Sequence, residues 1–205
     1  MKIATVALAF ALAVSAPAQV APLTLEARTA MTGKSWKAGC PVPLEDLAAV
    51  TVKYLGFDQL THEGTLVVHK RMAAEVAQIL AGLYEARFPI HRIGAWEDYG
   101  PGKYAEQDVT VGFYCERADD APNQWSSHAY GMAIDINPLE NPFRNPGKPW
   151  WPAGSSDFAV RDGGRGKVMP DGKVVAAFSR YGWDWGGLYT GGEKDYMHFN
   201  KIRRP

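Results

Sequence analysis

Alternating hydrophobic residues predict two neighbouring β-strands in the first half of the chain. Val50, Val52 and Tyr54 alternate with other residues in an apolar, β-branched stretch over 44–57, and the run GTLVVH over 64–69 repeats this character after a turn-like connection. Because successive side chains of a strand point to opposite faces, the alternation places one row of apolar residues against a core. We therefore expect an antiparallel pair of strands.

The spacing of hydrophobic residues changes to three and four between positions 70 and 87. The residues that recur at this spacing are Met72, Val76, Ile79, Leu80 and Leu83. This period is typical of an amphipathic helix that faces a core, and Pro89 ends it. A shorter helix is predicted over 174–181. Strands and helices mixed without regular alternation predict an α+β domain, with a small antiparallel sheet and flanking helices.

The stretch SSHAYGMAIDINP, residues 126–138, combines another alternating run with polar side chains. A period of two sends Ile134 to one face of a predicted strand and Asp135 to the other. Gly131 allows a sharp turn that brings His128 back beside Asp135. An imidazole and a carboxylate suit zinc. For these two residues alone, a hydrogen-bonded pair at a strand edge is the favoured interpretation, so a metal site requires a third ligand.

Two segments are predicted to be loops, and two short ones to be strands. The segment 94–107 contains Gly-Pro-Gly, and 141–152 is crowded with proline and aromatic residues, which excludes a helix or a central strand. A loop of the second kind beside a site often forms its wall. Strand character is predicted over 90–93 and 109–115.

Length and the N-terminal sequence indicate an exported protein with one folded domain. The chain has 205 residues, and its N-terminal segment contains Lys2, an apolar run and the small residues 16–18. These features are typical of a signal peptide, predicted over 1–18. An extended leader is expected over 19–43 and a single catalytic domain over 44–205. No later segment reaches the length of a membrane-spanning helix, so we expect no stable membrane insertion after signal cleavage.

Charge and cysteine content narrow the possible partners and the compartment. The 22 basic and 22 acidic residues balance, which gives no basic field for nucleic acid or anionic lipid. Cys40 and Cys115 are expected to form a disulfide, because exported proteins meet oxidising conditions. Free thiols are the weaker alternative because of the export signal, and metal ligation is weaker because neither cysteine belongs to a close pair.

Asp195 and His198 complete a candidate metal site. If His198 joins His128 and Asp135, the metal has three protein ligands and one open position, as in catalytic zinc sites. Asp195, just outside that set, is suited to take a proton from water and pass it to a leaving amine. Positions three apart in a regular strand face opposite sides, so Asp195 should lie on a loop or bulge before the strand that carries His198.

The motif S-x-H-x-x-G-x-A-x-D, followed downstream by D-x-x-H, resembles that of the zinc peptidases that cut bacterial cell-wall peptides. Its positions here are Ser126, His128, Gly131, Ala133, Asp135, Asp195 and His198. That family contains D-Ala-D-Ala carboxypeptidases and L-Ala-D-Glu endopeptidases, and it shares a structural group with lysostaphin-type enzymes and the Hedgehog signalling domain. The resemblance implies zinc bound on one face of the sheet by the two histidines and Asp135, Asp195 as general base, and peptidoglycan peptides as substrates.

The same family has an arginine that contacts the substrate carboxylate or the developing oxyanion, and Arg117 is the position that resembles it. Ser126 is expected to contact substrate or to support the site, because a zinc-bound His128 cannot serve as the base for a serine. A serine hydrolase that uses Ser126 or Ser127 lacks the expected nucleophile-elbow pattern.

Two functions from different classes remain. The first is a zinc metallopeptidase that hydrolyses peptide bonds in peptidoglycan stem peptides, and the second is a catalytically silent, zinc-containing module that binds the cell wall. Asp195 favours the enzyme, because a binding module does not need a carboxylate beside an open zinc position. By likeness to the family, Asp instead of Glu at this position favours the L-Ala-D-Glu endopeptidases.

Overall fold

A computed structural model describes residues 18–118 and 121–201, and it confirms the predicted α+β class. The signal peptide predicted over 1–18 therefore lies, except for Ala18, outside the described residues. The helices are α1 (Leu25–Met31), α2 (Ala73–Glu85), α3 (Lys103–Glu106) and α4 (Lys173–Ser179). The strands are β1 (Ala18–Pro22), β2 (Leu47–Leu55), β3 (Thr61–His69), β4 (Arg92–Ile93), β5 (Val109–Thr110), β6 (Ala133–Asp135), β7 (Phe143–Arg144), β8 (Asp184–Trp185), β9 (Lys194–Asp195) and β10 (His198–Asn200).

The predicted antiparallel pair and the long helix are both present. Strands β2 and β3 pair from Leu47 opposite His69 to Leu55 opposite Thr61, and β1 adds to the free edge of β2. One face of this sheet buries Val50 and Val52 against α2. The core thus lies between the apolar face predicted for the strands and the apolar face predicted for the helix.

The segment 19–43, expected to be an extended leader, contains β1 and α1. Thr24 caps α1, since its Oγ1 accepts a hydrogen bond from the backbone N–H of Ala27 at 3.2 Å. A helix of seven residues is too short to show a clear period, and β1 forms only by pairing with β2. The predicted disulfide between Cys40 and Cys115 is present and ties this segment to the rest of the domain.

A second sheet carries the strand predicted at Asp135. Its order is β6-β10-β8, and all pairs are antiparallel. Ile134 is fully buried in the same core as α2, and Phe199 of β10 stacks on Phe178 of α4 with ring centroids 4.0 Å apart. This core therefore holds the second sheet against the helices.

The strands predicted over 90–93 and 109–115 are shorter than expected. Only β4 and β5 are regular, and they pair in parallel. Beyond β5 the backbone is still hydrogen-bonded, because Val111 and Asp135 exchange N–H···O bonds of 3.2 and 3.0 Å and the Phe113 N–H donates to the Val67 carbonyl. This backbone contacts both sheets.

The two predicted loops contain short regular elements. Residues 94–107 include a 3₁₀ turn, Trp96–Asp98, and α3, which are too short to be visible as a period. Residues 141–152 include β7, which pairs with β9. Among the helices of residues 18–118 and 121–201, none has the length and hydrophobicity that crossing a bilayer requires.

Candidate metal centre

His128 lies in a tight 3₁₀ turn, Ser127–Tyr130, that Gly131 closes. Gly131 has φ +66°, a conformation that favours glycine, and a Cβ at this position would collide with the backbone nitrogen of His69. The Gly131 carbonyl accepts the His69 N–H at 2.8 Å. The predicted role of Gly131 is confirmed, since this turn brings His128 beside Asp135.

The other two candidate ligands come from neighbouring strands. Asp135 ends β6 and His198 begins β10, and the two residues are direct partners in the antiparallel ladder. Residues opposite each other in such a pair have side chains close together on the same face. The ladder therefore sets the distance between ligands that are 63 residues apart in sequence.

The three side chains converge on one point. His128 Nε2 lies 3.2 Å from Asp135 Oδ1 and 3.1 Å from His198 Nδ1, and His198 Nδ1 lies 3.0 Å from Asp135 Oδ1. All three residues are at most 7% exposed. Their atoms form a compact, buried triangle of possible ligands.

Hydrogen bonds outside this triangle orient the imidazoles. His128 Nδ1 is 2.6 Å from the Gly112 carbonyl, which can only accept, so Nδ1 carries the proton and the Nε2 lone pair of the neutral ring points inward. His198 Nε2 is 3.0 Å from Ser127 Oγ. Burial acts to raise the pKa of Asp135, but the two imidazoles, which when protonated offer it positive charge and hydrogen bonds, outweigh burial and keep this pKa below its ordinary value.

This donor set fits zinc. Two imidazole nitrogens and one carboxylate oxygen are common zinc ligands, and ligands about 2.0–2.2 Å from a tetrahedral ion are about 3.3–3.6 Å apart. The separations of 3.0 to 3.2 Å are slightly shorter. A small outward movement of each side chain suffices for a zinc ion.

Two buried tyrosines contact the residues of the triangle, and neither was predicted from the sequence. Tyr104 donates a hydrogen bond to Asp135 Oδ2 at 3.1 Å, and Tyr114 stacks on His128 with centroids 4.3 Å apart. Burial raises the pKa of both phenols well above the ordinary value, so both are neutral. The sequence signal for Tyr114 was its position in the strand predicted over 109–115, and Tyr104, in the short α3, had none.

A cleft of about 460 Å³ opens over the triangle, and Asp195 lines it together with His128, Asp135 and His198. Asp195 was expected on a loop or bulge before the strand of His198, but it ends a short strand of its own, β9, which is separate from β10 and pairs with β7. A Cβ on Gly186 would lie 2.5 Å from the Asp195 carbonyl oxygen, so a glycine is needed behind Asp195.

Arg117 and Ser126 also line the cleft. The Arg117 guanidinium lies 3.7 Å above the Trp125 ring centroid, and its Nη1 donates to the Asn123 carbonyl at 3.3 Å. Ser126 Oγ accepts the backbone N–H of His128 at 3.3 Å and so caps the turn that carries His128. Trp151 and Lys148, from the Pro-rich segment, line the same cleft.

The connections Ser127–His198–Asp135 also match the order of a serine-hydrolase triad, with Oγ–Nε2 and Nδ1–Oδ1 distances of 3.0 Å each. Ser127 is only 8% exposed, however, and within the described chain it is not part of the cleft lining. A triad also has no role for His128 Nε2 at 3.1 Å from His198 Nδ1. The geometry favours a metal centre, with Ser127 as a hydrogen-bond partner of His198.

Comparison with known proteins supports the peptidase interpretation. A family model described as D-alanyl-D-alanine carboxypeptidase matches residues 119–201, a range that contains His128, Asp135, Asp195 and His198. This match supports the peptidase family and does not separate its carboxypeptidases from its endopeptidases. Comparison with curated proteins and with solved structures gives no match.

Proposed function

We propose that the protein is a zinc metallopeptidase that hydrolyses peptide bonds in bacterial peptidoglycan stem peptides. The convergence of His128 Nε2, Asp135 Oδ1 and His198 Nδ1 within 3.2 Å, at the base of a cleft that Asp195 lines, carries this proposal. The peptidase-family match over the same residues supports it. A cell-wall-binding module would not require Asp195 in this position.

Each residue has a role in the proposed reaction. Zinc, when bound, would act as a Lewis acid that polarises the scissile carbonyl and lowers the pKa of its bound water. Asp195 takes the proton of the attacking water and returns it to the leaving nitrogen. Arg117 retains N–H donors beyond its bond to Asn123 and binds the substrate carboxylate or the developing oxyanion. Ser126, on the cleft wall, contacts the bound peptide.

The substrate and the compartment are part of the same proposal. The presence of Asp, instead of Glu, at position 195 leads us to favour the L-Ala-D-Glu bond over the D-Ala-D-Ala bond. The Cys40–Cys115 disulfide supports export to the periplasm or the extracellular space, because disulfides persist under oxidising conditions. Incubation with purified muropeptides, followed by mass analysis of the products, identifies the bond that is cut.

Asparagine substitutions at Asp195 and Asp135 test the proposed roles. Asp195→Asn should keep its zinc and lose about 10²- to 10⁴-fold in kcat, the usual contribution of general acid-base catalysis. Asp135→Asn should lose zinc, because a neutral amide is a poor ligand for a dication. Metal analysis and muropeptide hydrolysis on both variants distinguish a base from a ligand.

The possible contrary results are distinct. Loss of zinc in Asp195→Asn would make Asp195 a ligand, and full activity would assign proton transfer to another group. A zinc-containing wild-type protein that binds muropeptides without cutting them would support the silent module. Hydrolysis that survives zinc chelation but is abolished in Ser127→Ala would support the serine triad.

A further inference from the structure

Tyr104 and Tyr114 form a directed chain of hydrogen bonds that ends on Asp135. The Tyr104 hydroxyl donates to Asp135 Oδ2 at 3.1 Å and lies 3.2 Å from the Tyr114 hydroxyl. A phenol has one proton, so the Tyr104 oxygen must accept the proton of Tyr114. The chain therefore runs from Tyr114 through Tyr104 to the carboxylate, and each bond polarises the next.

We propose that Tyr104 is a positioning residue that holds Oδ2 of Asp135 away from the metal, so that this carboxylate binds through Oδ1 alone. This inference rests on the proposed zinc site. Oδ1 is the oxygen that lies 3.2 Å from His128 Nε2 and 3.0 Å from His198 Nδ1. Oδ2, the other oxygen, has a separate partner in the Tyr104 hydroxyl.

The backbone of Asp135 is already fixed, so the remaining freedom is in its side chain. Both its N–H and its carbonyl are bonded to Val111, and its Cα is paired with that of His198. Rotation of the carboxylate would exchange the two oxygens or present both to a cation. The hydrogen bond from Tyr104 opposes this rotation, because a buried phenol makes it to one carboxylate oxygen only.

Tyr104 is itself held rigidly enough for this role. It is 4% exposed, and it packs in a cluster with Trp96, Ala105 and Val109. Its ring also meets the edge of Trp151, with centroids 6.0 Å apart, on the cleft wall. The donor therefore keeps its position while a metal binds or leaves.

Tyr104→Phe, compared with the matched control Tyr114→Phe, tests the proposal. Tyr104→Phe keeps the ring and removes the bond to Oδ2, so zinc affinity, measured against a competing chelator, should fall about 10- to 100-fold. Tyr114→Phe removes an equally buried hydroxyl that does not touch Asp135, so its loss should stay below about threefold. Thermal melting of the metal-free proteins confirms that both variants fold.

Two spectroscopic measurements separate positioning from packing. The visible spectrum of the cobalt-substituted protein should change in Tyr104→Phe and stay close to that of the wild type in Tyr114→Phe. The infrared difference between zinc-loaded and metal-free wild-type protein, labelled with carbon-13 aspartate, should show a carboxylate bound through one oxygen. This second measurement needs no variant, so it applies even if Tyr104→Phe does not fold.

The outcomes distinguish this inference from the proposed function. Zinc affinity within about threefold of the wild type in Tyr104→Phe, or an infrared signature of a carboxylate bound through both oxygens, overturns the role of Tyr104 alone. A wild-type protein that binds no zinc contradicts the zinc-peptidase proposal and overturns both.

Discussion

The framework, formed by β2, β3 and α2, and the site region, residues 121–201, are stabilised in different ways. In the framework, two strands of nine residues and a helix of thirteen bury apolar side chains and satisfy their backbone within regular elements. In the site region, no described strand exceeds three residues. Its irregular backbone needs other hydrogen-bond partners, since buried polar groups without partners are costly.

Asn141 is one of these partners. Its Nδ2 donates to the carbonyls of Ile136, Asn137 and Gly166 at 2.9 to 3.1 Å. Its Oδ1 accepts from Arg161 Nη1 at 2.9 Å and from the Val168 N–H at 2.7 Å. One fully buried side chain thus satisfies the backbone that follows Asp135, as a neighbouring strand does in the framework. Hydrophobic burial accordingly dominates the stability of the framework, and specific polar contacts dominate the shape of the site.

The largest expected effect on stability is in the framework. Leu80 on α2 is 2% exposed, so Leu80→Ala should lower the free energy of unfolding by about 2–5 kcal/mol, through lost burial and an uncollapsed cavity. Urea unfolding measures this loss. Below the unfolding transition, zinc affinity should be unchanged, because Leu80 packs in the hydrophobic core and does not belong to the described lining of the cleft. Leu60→Ala, at a residue 62% exposed, is the matched control and should cost less than about 0.5 kcal/mol. Equal losses at the two positions would contradict this account of the framework.

A smaller loss of stability, with a different consequence, is expected at Asn141. Asn141→Ala removes five hydrogen bonds and takes from the Ile136 carbonyl and the Val168 N–H their side-chain partner, so it should lower the free energy of unfolding by about 2–3 kcal/mol. It should also weaken zinc binding, because Ile136 and Asn137 directly follow Asp135. Calorimetric zinc titration checks this, with Asn123→Ala, at an exposed residue whose side chain makes no hydrogen bond within the described chain, as the control. If Asn141→Ala kept the wild-type zinc affinity, the contrast between the two regions would fail.

The smallest expected effect is a pH dependence at Glu140. Burial, with the hydrogen bond and charge of Asp108, raises the pKa of Glu140 to about 8, against an opposing effect of Arg165. Between the ordinary pKa of 4.5 and about 8, the folded chain binds a proton here that the unfolded chain does not. The stability from neutral Glu140 is therefore complete below the lower value and is lost as pH rises through the higher one.

Glu140→Gln should remove this loss, because the amide keeps a donor towards Asp108 and does not ionise. At about pH 9 the variant should melt about 2–4 °C above the wild type, and at about pH 5 the two should agree. Melting curves at both pH values decide, with Glu85→Gln at an exposed site as the control. A variant that melts at the wild-type temperature at both pH values would show that Glu140 does not limit stability at high pH.

The framework was predictable from sequence because its elements are long enough to show a period. Val50, Val52 and the apolar face of α2 identify the two strands and the helix with boundaries close to those observed. Helix α1, with seven residues, and α3, with four, are too short for a period to emerge, so their segments were predicted as extended or as a loop. Pairing of β1 with β2 depends on contacts between distant residues, which a local pattern does not contain.

In the site, the motif predicted which residues meet, but not what surrounds them. The spacing around Gly131 and the D-x-x-H motif led to the three side chains that converge. Nothing in the sequence relates Tyr104 to Asp135, because their contact depends on how the segment 94–107 folds against the second sheet. Ser127 was considered only as a nucleophile, and its bond to His198 follows from the turn that also presents His128.

The placement of Asp135 and His198 as partners on β6 and β10 gives the protein room for variation. Of the chain between these strands, the turn from Phe143 to Trp151 closes on itself through paired backbone hydrogen bonds. A loop closed at its base can be lengthened or replaced without shifting the strands on either side. The lining of the cleft and the pairing of Asp135 with His198 can therefore change independently. Under the proposed function, exchange of 145–150, which leaves β7 paired with β9, is a route to new peptide specificities with the same candidate ligands.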